Sequence, residues 1–119
     1  MIVMLNWPDG APTSEFCTQF LQGMLDRMAV SYAKYGLVAD AYPHKVDAIR
    51  SLQARLDKYA QTGNTEYLMD AGNFAMIEFM KPKHEDAYYE PTDVKGSPGR
   101  KWHGEVDGLQ DKNIPERQH

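Results

Sequence analysis

The stretch from residue 65 to residue 80 constrains the fold more than any other part of the chain. Its apolar residues recur so closely that they cover most of the circumference of a helix, which ends before Pro82. They are Tyr67, Leu68, Met69, Ala71, Phe74, Ala75, Met76, Ile77, Phe79 and Met80. A helix that is apolar nearly all round is typical of a buried position. Because the chain has only 119 residues, we expect a second subunit to help the other helices cover it.

Two further helices are predicted upstream of this one. Over residues 14–35, apolar side chains recur every three or four positions, with Thr13 or Ser14 as the helix cap. Over residues 43–62, Pro43 suits the first turn of a second amphipathic helix. Its apolar stripe comprises Val46, Ile49, Leu52, Leu56 and Tyr59. The pattern therefore predicts an all-α fold, with a three-helix core completed by assembly into a homo-oligomer.

The chain divides into a helical domain and a polar C-terminal segment. The predicted helices fall within residues 1–82, which have the length of a single small domain. Residues 83–119 contain Pro91, Pro98 and Pro115, several glycines and no sustained periodicity. We expect this segment to be irregular, partly docked on the helices and partly disordered.

Composition excludes several classes of partner and compartment. The net charge is −4 and both signs are mixed along the chain, so no basic stripe for duplex nucleic acid is present. The single cysteine, Cys17, allows no intrachain disulfide and indicates a reducing compartment. The apolar N-terminus stops at Asn6, too soon for a signal peptide, and no apolar run approaches the ~20 residues that cross a bilayer. A cytoplasmic protein that binds no membrane is expected.

Three polar residues interrupt the apolar helix on one stripe. Glu66, Asp70 and Asn73 stand at i, i+4 and i+7, so their side chains project from the same face. Two neighbouring carboxylates repel each other, and a divalent cation relieves that repulsion. Oxygen ligands on a rigid helix suit Mg²⁺, and the Asn73 amide could orient a ligand or a metal-bound water. The simpler alternative is that the three residues only mark the solvated side of the helix.

The residues around this stripe resemble a known family. Residues 62–77, TGNTEYLMDAGNFAMI, look like the distal metal helix of the MazG-like all-α nucleotide pyrophosphohydrolases, and more narrowly of their phage-borne, nucleotide-modification-associated relatives. The Lys34-Tyr35-Gly36 sequence is similar to the Lys-x-Tyr-Gly close of the first helix in those relatives. The resemblance covers roughly residues 20–80.

The resemblance implies a reaction and roles for individual residues. Glu66 and Asp70 would be the catalytic carboxylates and the Mg²⁺ ligands, and the Asn73 amide would either support those ligands from behind or contact the bound molecule. Water would attack the α–β phosphate linkage of a nucleoside triphosphate, releasing a monophosphate and pyrophosphate. The family's Glu-x-x-Glu pair in the preceding helix is missing here, so Asp47 or Asp26 would have to supply further carboxylates.

Three functional hypotheses follow. The first is a MazG-like nucleoside triphosphate pyrophosphohydrolase that uses Mg²⁺. The second is a non-catalytic phage protein that sequesters a nucleotide signal in the host cytoplasm, with a phosphorylated ligand held by Arg100 or by Arg50 and Arg55. The third is a structural or interaction protein, in which Glu66 and Asp70 face open solvent.

Overall fold

The computed structural model describes residues 6–92, and within them the predicted all-α fold is confirmed. A short 3-10 turn at Thr13–Glu15 precedes four helices, which are α1 Thr18–Tyr35, α2 Val38–Ala41, α3 Ala48–Thr62 and α4 Glu66–Met80. The helices belong to a compact unit that ends at Ala87, and a separate unit begins at Tyr88. Across the described part of the chain, no helix combines the length and apolarity needed to span a bilayer.

Helix α1 begins later than the sequence pattern predicts. Thr13 and Ser14 do not cap it but lie in the 3-10 turn, and Phe16 follows in an extended conformation. The ring of Phe16 packs against Trp7, with their centroids 5.0 Å apart. The N-cap is Cys17, whose Sγ accepts a hydrogen bond at 3.3 Å from a backbone N–H in the first turn. The apolar period therefore predicts the helix correctly but not its first turn.

The predicted start of the second main helix at residue 43 is wrong. Pro43 follows a cis peptide bond and lies in the turn after α2, outside any helix. Helix α3 begins at Ala48, because the Asp47 carboxylate caps it by accepting a hydrogen bond at 3.1 Å from the backbone N–H of Arg50. Gly63 ends α3 with φ of 75°, a left-handed conformation that favours glycine.

Helix α4 occupies the predicted residues to within one position. The N-cap of α4 is Thr65, whose side chain makes no capping hydrogen bond. The side chain of the preceding residue, Asn64, accepts a hydrogen bond at 3.0 Å from the backbone N–H of Glu66. The helix ends at Met80, two residues before Pro82. Its local start and stop signals are therefore sufficient to place it.

Helix α4 is the central element, because it packs against both α3 and α1. Two of the closest approaches between α4 and α1 pair a glycine of one helix with a methionine of the other. Met69 of α4 fills the space beside Gly23 of α1, and Met24 of α1 fills the space beside Gly72 of α4. A side chain at either glycine would displace the facing methionine, so both glycines permit the close approach.

The expected full burial of α4 does not occur within the described residues. Only Ala48, Ala71 and Ile77 among the apolar residues are buried, and no large side chain is fully enclosed. Phe79 remains 80% exposed because α1 and α3 cover only two sides of α4. The helices therefore leave a large apolar surface uncovered.

Candidate functional site

Glu66 and Asp70 project from the first two turns of α4 toward α1 and α3, as their spacing predicts. The Asp70 side chain is only 14% exposed, whereas that of Glu66 is 49% exposed. The structural hypothesis requires Asp70 to face open solvent. The low exposure of its side chain does not meet that requirement. Both carboxylates reach the same cationic side chain, Arg27 of α1.

Arg27 bridges the two carboxylates. Its Nε and Nη2 donate to Oδ1 and Oδ2 of Asp70 at 3.0 and 3.4 Å, and its Nη1 lies 3.1 Å from Oε2 of Glu66. A guanidinium held by two parallel hydrogen bonds is oriented more firmly than a single contact allows. The hydrogen bond with Asp70 raises the pKa of Arg27, and the negative charges of Asp70 and Glu66 act in the same direction. One cation thus lies between Glu66 and Asp70.

A second guanidinium reaches Asp70 from α3. Arg55 Nε lies 3.3 Å from Oδ2 of Asp70, and Arg55 Cζ lies 5.5 Å from the centroid of the Phe74 ring. The same positive charge acts on Tyr42, where it partly offsets the burial that raises the tyrosine pKa. Within residues 6–92, the two terminal nitrogens of Arg55 have no hydrogen-bond acceptor. They remain available to an external anion.

We call Arg27, Arg55, Glu66 and Asp70 the arginine–carboxylate cluster. Two guanidiniums balance two carboxylates, so the cluster carries no net charge and has little attraction for a free metal ion. No group of three metal-ligating side chains occurs among residues 6–92. The cluster therefore does not fit a metal held by the protein alone. It fits Mg²⁺ that arrives with a nucleotide, because such an ion takes one or two protein carboxylates and the substrate phosphates.

Asn73 has a different environment from the other two residues of the stripe. It is buried between α1 and α4, where its Nδ2 donates a hydrogen bond at 2.9 Å to the backbone carbonyl of Met24. Its Oδ1 is buried and has no hydrogen-bond partner in the described part of the chain. Asn73 thus holds α1 in place beside α4, which positions Arg27 one turn along the same helix.

Asp47 and Arg50, both predicted to bind the ligand, lie at the start of α3. Asp47 caps the helix through the backbone N–H of Arg50, and its Oδ2 lies 3.7 Å from Nζ of Lys83. The hydrogen bond from Arg50 lowers the pKa of Asp47, and Lys83 adds to the effect. Neither Asp47 nor Arg50 contacts the cluster. The prediction that these two residues bind the ligand therefore gains no support from their positions.

The remaining candidates are also placed away from the cluster or cannot be placed. Asp26 accepts a hydrogen bond at 3.0 Å from Nε2 of Gln22 on the exposed side of α1. Arg100, the predicted ligand-binding residue of the tail, lies outside the described residues.

The site predicted from the sequence does not include Arg27. The sequence nevertheless contains a pattern that indicates it. On a helical projection, Arg27 falls on the same face of α1 as Gly23 and Met24, which contact α4. A cation placed beside the residues that pack against α4 requires a buried or half-buried anion nearby. The acidic pair that interrupts the apolar surface of α4 is the matching feature, and pairing the two would have identified Arg27.

Comparisons of this chain with protein-family models, with curated proteins and with solved structures find no match. The described residues form an all-α protein of a few helices.

Proposed function

We propose that this chain is a MazG-like nucleotide pyrophosphohydrolase that binds a magnesium-bound nucleoside triphosphate at the arginine–carboxylate cluster. The observation that carries the proposal is the convergence of Glu66 and Asp70 on one cation, Arg27, with contacts of 3.1 and 3.0 Å. Two carboxylates that share one cation present the donor atoms that a substrate-borne Mg²⁺ requires.

A magnesium–nucleotide complex matches the cluster because it brings charges of both signs. Glu66 and Asp70 would take the metal side of the complex, while Arg27 and Arg55 would turn to the phosphate oxygens. No charge is left unpaired before or after this exchange, which avoids the cost of an isolated buried ion. When bound, Mg²⁺ would neutralise the phosphates and lower the pKa of an attacking water.

The side chains of the cluster differ in how readily they can make this exchange. Glu66 is half-exposed and pairs only with Arg27 in the part of the chain that the structure describes, so it can release Arg27 at little cost. The two terminal nitrogens of Arg55 have no acceptor among residues 6–92, and the Phe74 ring limits where its guanidinium can lie. Arg55 would therefore be the first group to meet a phosphate, and Arg27 would become available to the phosphates when Glu66 and Asp70 hold the metal.

A second candidate function is supported by a specific observation. Within residues 6–92 no third carboxylate joins Glu66 and Asp70, and Asp47 is engaged as a helix cap. A protein with an incomplete set of catalytic carboxylates would bind the nucleotide and leave it intact. Such a protein would match the second hypothesis of the sequence analysis, a non-catalytic phage protein that sequesters a nucleotide signal.

The test is to incubate the full-length protein with a panel of nucleotides, including cyclic ones, in the presence of Mg²⁺ and to separate the products by chromatography. The enzyme releases a nucleoside monophosphate and pyrophosphate from at least one triphosphate. The Glu66→Gln variant should lose this activity because it removes a metal-binding charge. Asp57→Asn is the matched control, since Asp57 is an exposed carboxylate on α3.

The outcomes separate the candidate functions. Products that appear in the wild type and in Asp57→Asn, but not in Glu66→Gln, support the hydrolase. A nucleotide that binds and is recovered unchanged supports the sequestering protein. A chain that neither binds nor cleaves any nucleotide would refute both and leave the cluster as a structural feature.

A further inference from the structure

Two methionine side chains lie where α1 and α4 come close together. A methyl group placed on Gly72 would lie 3.0 Å from Sδ and 3.3 Å from Cε of Met24. One placed on Gly23 would overlap the same two atoms of Met69. Each thioether therefore occupies the space that a glycine leaves open on the other helix. We call these two pairs, Met24 with Gly72 and Met69 with Gly23, the methionine lock.

The methionine lock is next to the arginine–carboxylate cluster along both helices. Met69 immediately precedes Asp70 in α4. Arg27 follows Met24 by about one turn of α1. The backbone carbonyl of Met24 also accepts the 2.9 Å hydrogen bond from Asn73. A change that moves α1 away from α4 at the methionine lock therefore also withdraws Arg27 from Asp70, to which it donates at 3.0 and 3.4 Å.

The sulfur atoms of the methionine lock are within reach of a small oxidant. Met24 and Met69 are both half-buried rather than enclosed. Hydrogen peroxide transfers one oxygen atom to a thioether sulfur, forming a sulfoxide, while its O–O bond breaks and water is released. The sulfur is oxidised and the peroxide is reduced, so the reaction needs no further reactant.

A sulfoxide does not fit in either half of the methionine lock. The added oxygen is polar and needs a hydrogen-bond donor once it is buried. The glycine that faces each sulfur lies in the middle of a helix, where its backbone N–H already donates to the preceding turn. The thioether itself already fills the space beside the glycine. The oxidised side chain therefore has to leave, and α1 separates from α4.

We propose that the methionine lock is an oxidation-sensitive switch, in which conversion of Met24 and Met69 to sulfoxides releases α1 from α4 and takes Arg27 out of the cluster. The contact of Asp70 with Arg55 joins α4 to α3 and so survives the change. Enzymatic reduction of both sulfoxides restores the thioethers and returns Arg27 to Asp70. The switch acts on the structure of the cluster, so it stands or falls independently of the proposed nucleotide reaction.

The first test is treatment of the full-length protein with hydrogen peroxide, with the sulfoxides located by mass spectrometry of peptides and the Tm measured at each time point. We expect the Tm to fall by at least about 5 °C as Met24 and Met69 are oxidised. Methionine sulfoxide reductases should restore it. Oxidation of Met80, which is 46% exposed at the end of α4, should leave the Tm unchanged. Cys17→Ser keeps a capping side chain and should respond like the wild type, because the effect comes from thioethers.

Variants separate the methionine lock from general oxidative damage. Met24→Leu combined with Met69→Leu removes both reactive sulfurs at nearly constant volume and should abolish the fall in Tm. Met80→Leu is the matched control and should give no protection. Should the double variant fail to fold, each single variant serves instead, and the time course in the wild type requires no variant.

A second measurement asks whether oxidation takes Arg27 away from Asp70. In the unoxidised protein, Arg27→Ala should lower the urea midpoint by on the order of 0.5 M. After oxidation of the methionine lock the same substitution should cause no further fall, because the contact is already lost. Arg55→Ala should lower the midpoint equally before and after oxidation, since its contact with Asp70 lies between α3 and α4.

Four results would overturn the proposal. The first is resistance of Met24 and Met69 to peroxide in the folded protein, and the second is an unchanged Tm once both are sulfoxides. The third is a fall in Tm that Met80→Leu prevents and the double leucine variant does not. The fourth is a contribution of Arg27 to the urea midpoint that persists undiminished after oxidation.

Discussion

Replacing Asp70 by alanine removes the carboxylate that joins α1, α3 and α4. Asp70 accepts two hydrogen bonds from Arg27, at 3.0 and 3.4 Å, and one from Arg55 at 3.3 Å. The Asp70 side chain is 14% exposed, but those of Arg27 and Arg55 are 36% and 39% exposed. The cost of the substitution therefore lies between that of an exposed ion pair and that of a buried one.

The magnitude follows from the partial exposure of both arginines. Breaking a fully buried pair costs about 3–5 kcal/mol, and an exposed pair contributes about 0.2–1 kcal/mol. Because water can solvate both released guanidiniums, we assign about 1 kcal/mol to each pair. The higher helix propensity of alanine offsets about 0.5 kcal/mol of this loss. Asp70→Ala should therefore lower the free energy of unfolding by about 1.5 kcal/mol.

The assay is urea unfolding followed by circular dichroism at a fixed protein concentration, since association would also change the stability. With a slope of about 1.5 kcal/mol per molar urea, the midpoint should fall by about 1 M. Glu66→Ala is the comparison, and its single half-exposed pair predicts a loss of about 0.5 kcal/mol. Equal and small losses in the two variants would show that Asp70 does not hold the helices together.

Substitutions at three further positions test the helix caps and the buried amide. Asp47 has a lowered pKa because it accepts the Arg50 N–H; its contribution to stability is therefore present above the ordinary pKa of about 3.9 and lost as the pH falls through the lower folded-state value. Asp47→Asn keeps a capping group, so its Tm should fall less than that of the wild type on acidification, and an unchanged pH profile would contradict this role. Asn73→Asp places a charge against the carbonyl of Met24 and should cost about 3 kcal/mol, whereas Asn73→Leu should cost about 1 kcal/mol; urea unfolding that ranks them in the opposite order would refute the assigned hydrogen bond. Gly63→Ala should cost about 1 kcal/mol because φ is 75°, and thermal unfolding should show a smaller loss for Gly63→Asn.

The helices that the sequence predicts well are those with strong local signals. Helix α4 has Asn64 at its start and Pro82 after its end, and both act through neighbouring backbone groups. The start of α3 is different, because Pro43 and Asp47 are each acceptable first residues by local rules. The conformation of the preceding turn decides which of the two residues begins the helix. The spacing of apolar residues does not indicate that conformation.

The candidate site shows the same division between local and tertiary information. Helical spacing alone places Glu66 and Asp70 on one face, and the structure brings both to Arg27. The arginines come from α1 and α3, so their approach depends on how the helices pack. Gly23 and Gly72 set the distance between α1 and α4, and a sequence pattern does not indicate which glycine faces which methionine.

The most direct test of the central claim is calorimetric titration of the full-length protein with a nucleoside triphosphate, with and without Mg²⁺, in the wild type and in Glu66→Gln and Arg55→Gln. Binding should require the nucleotide and Mg²⁺ together, because the cluster must exchange charges of both signs. Each variant should weaken binding at least tenfold, which corresponds to about 1.4 kcal/mol. Binding that is indifferent to Mg²⁺ and unchanged in both variants would contradict the claim that the arginine–carboxylate cluster is the nucleotide site.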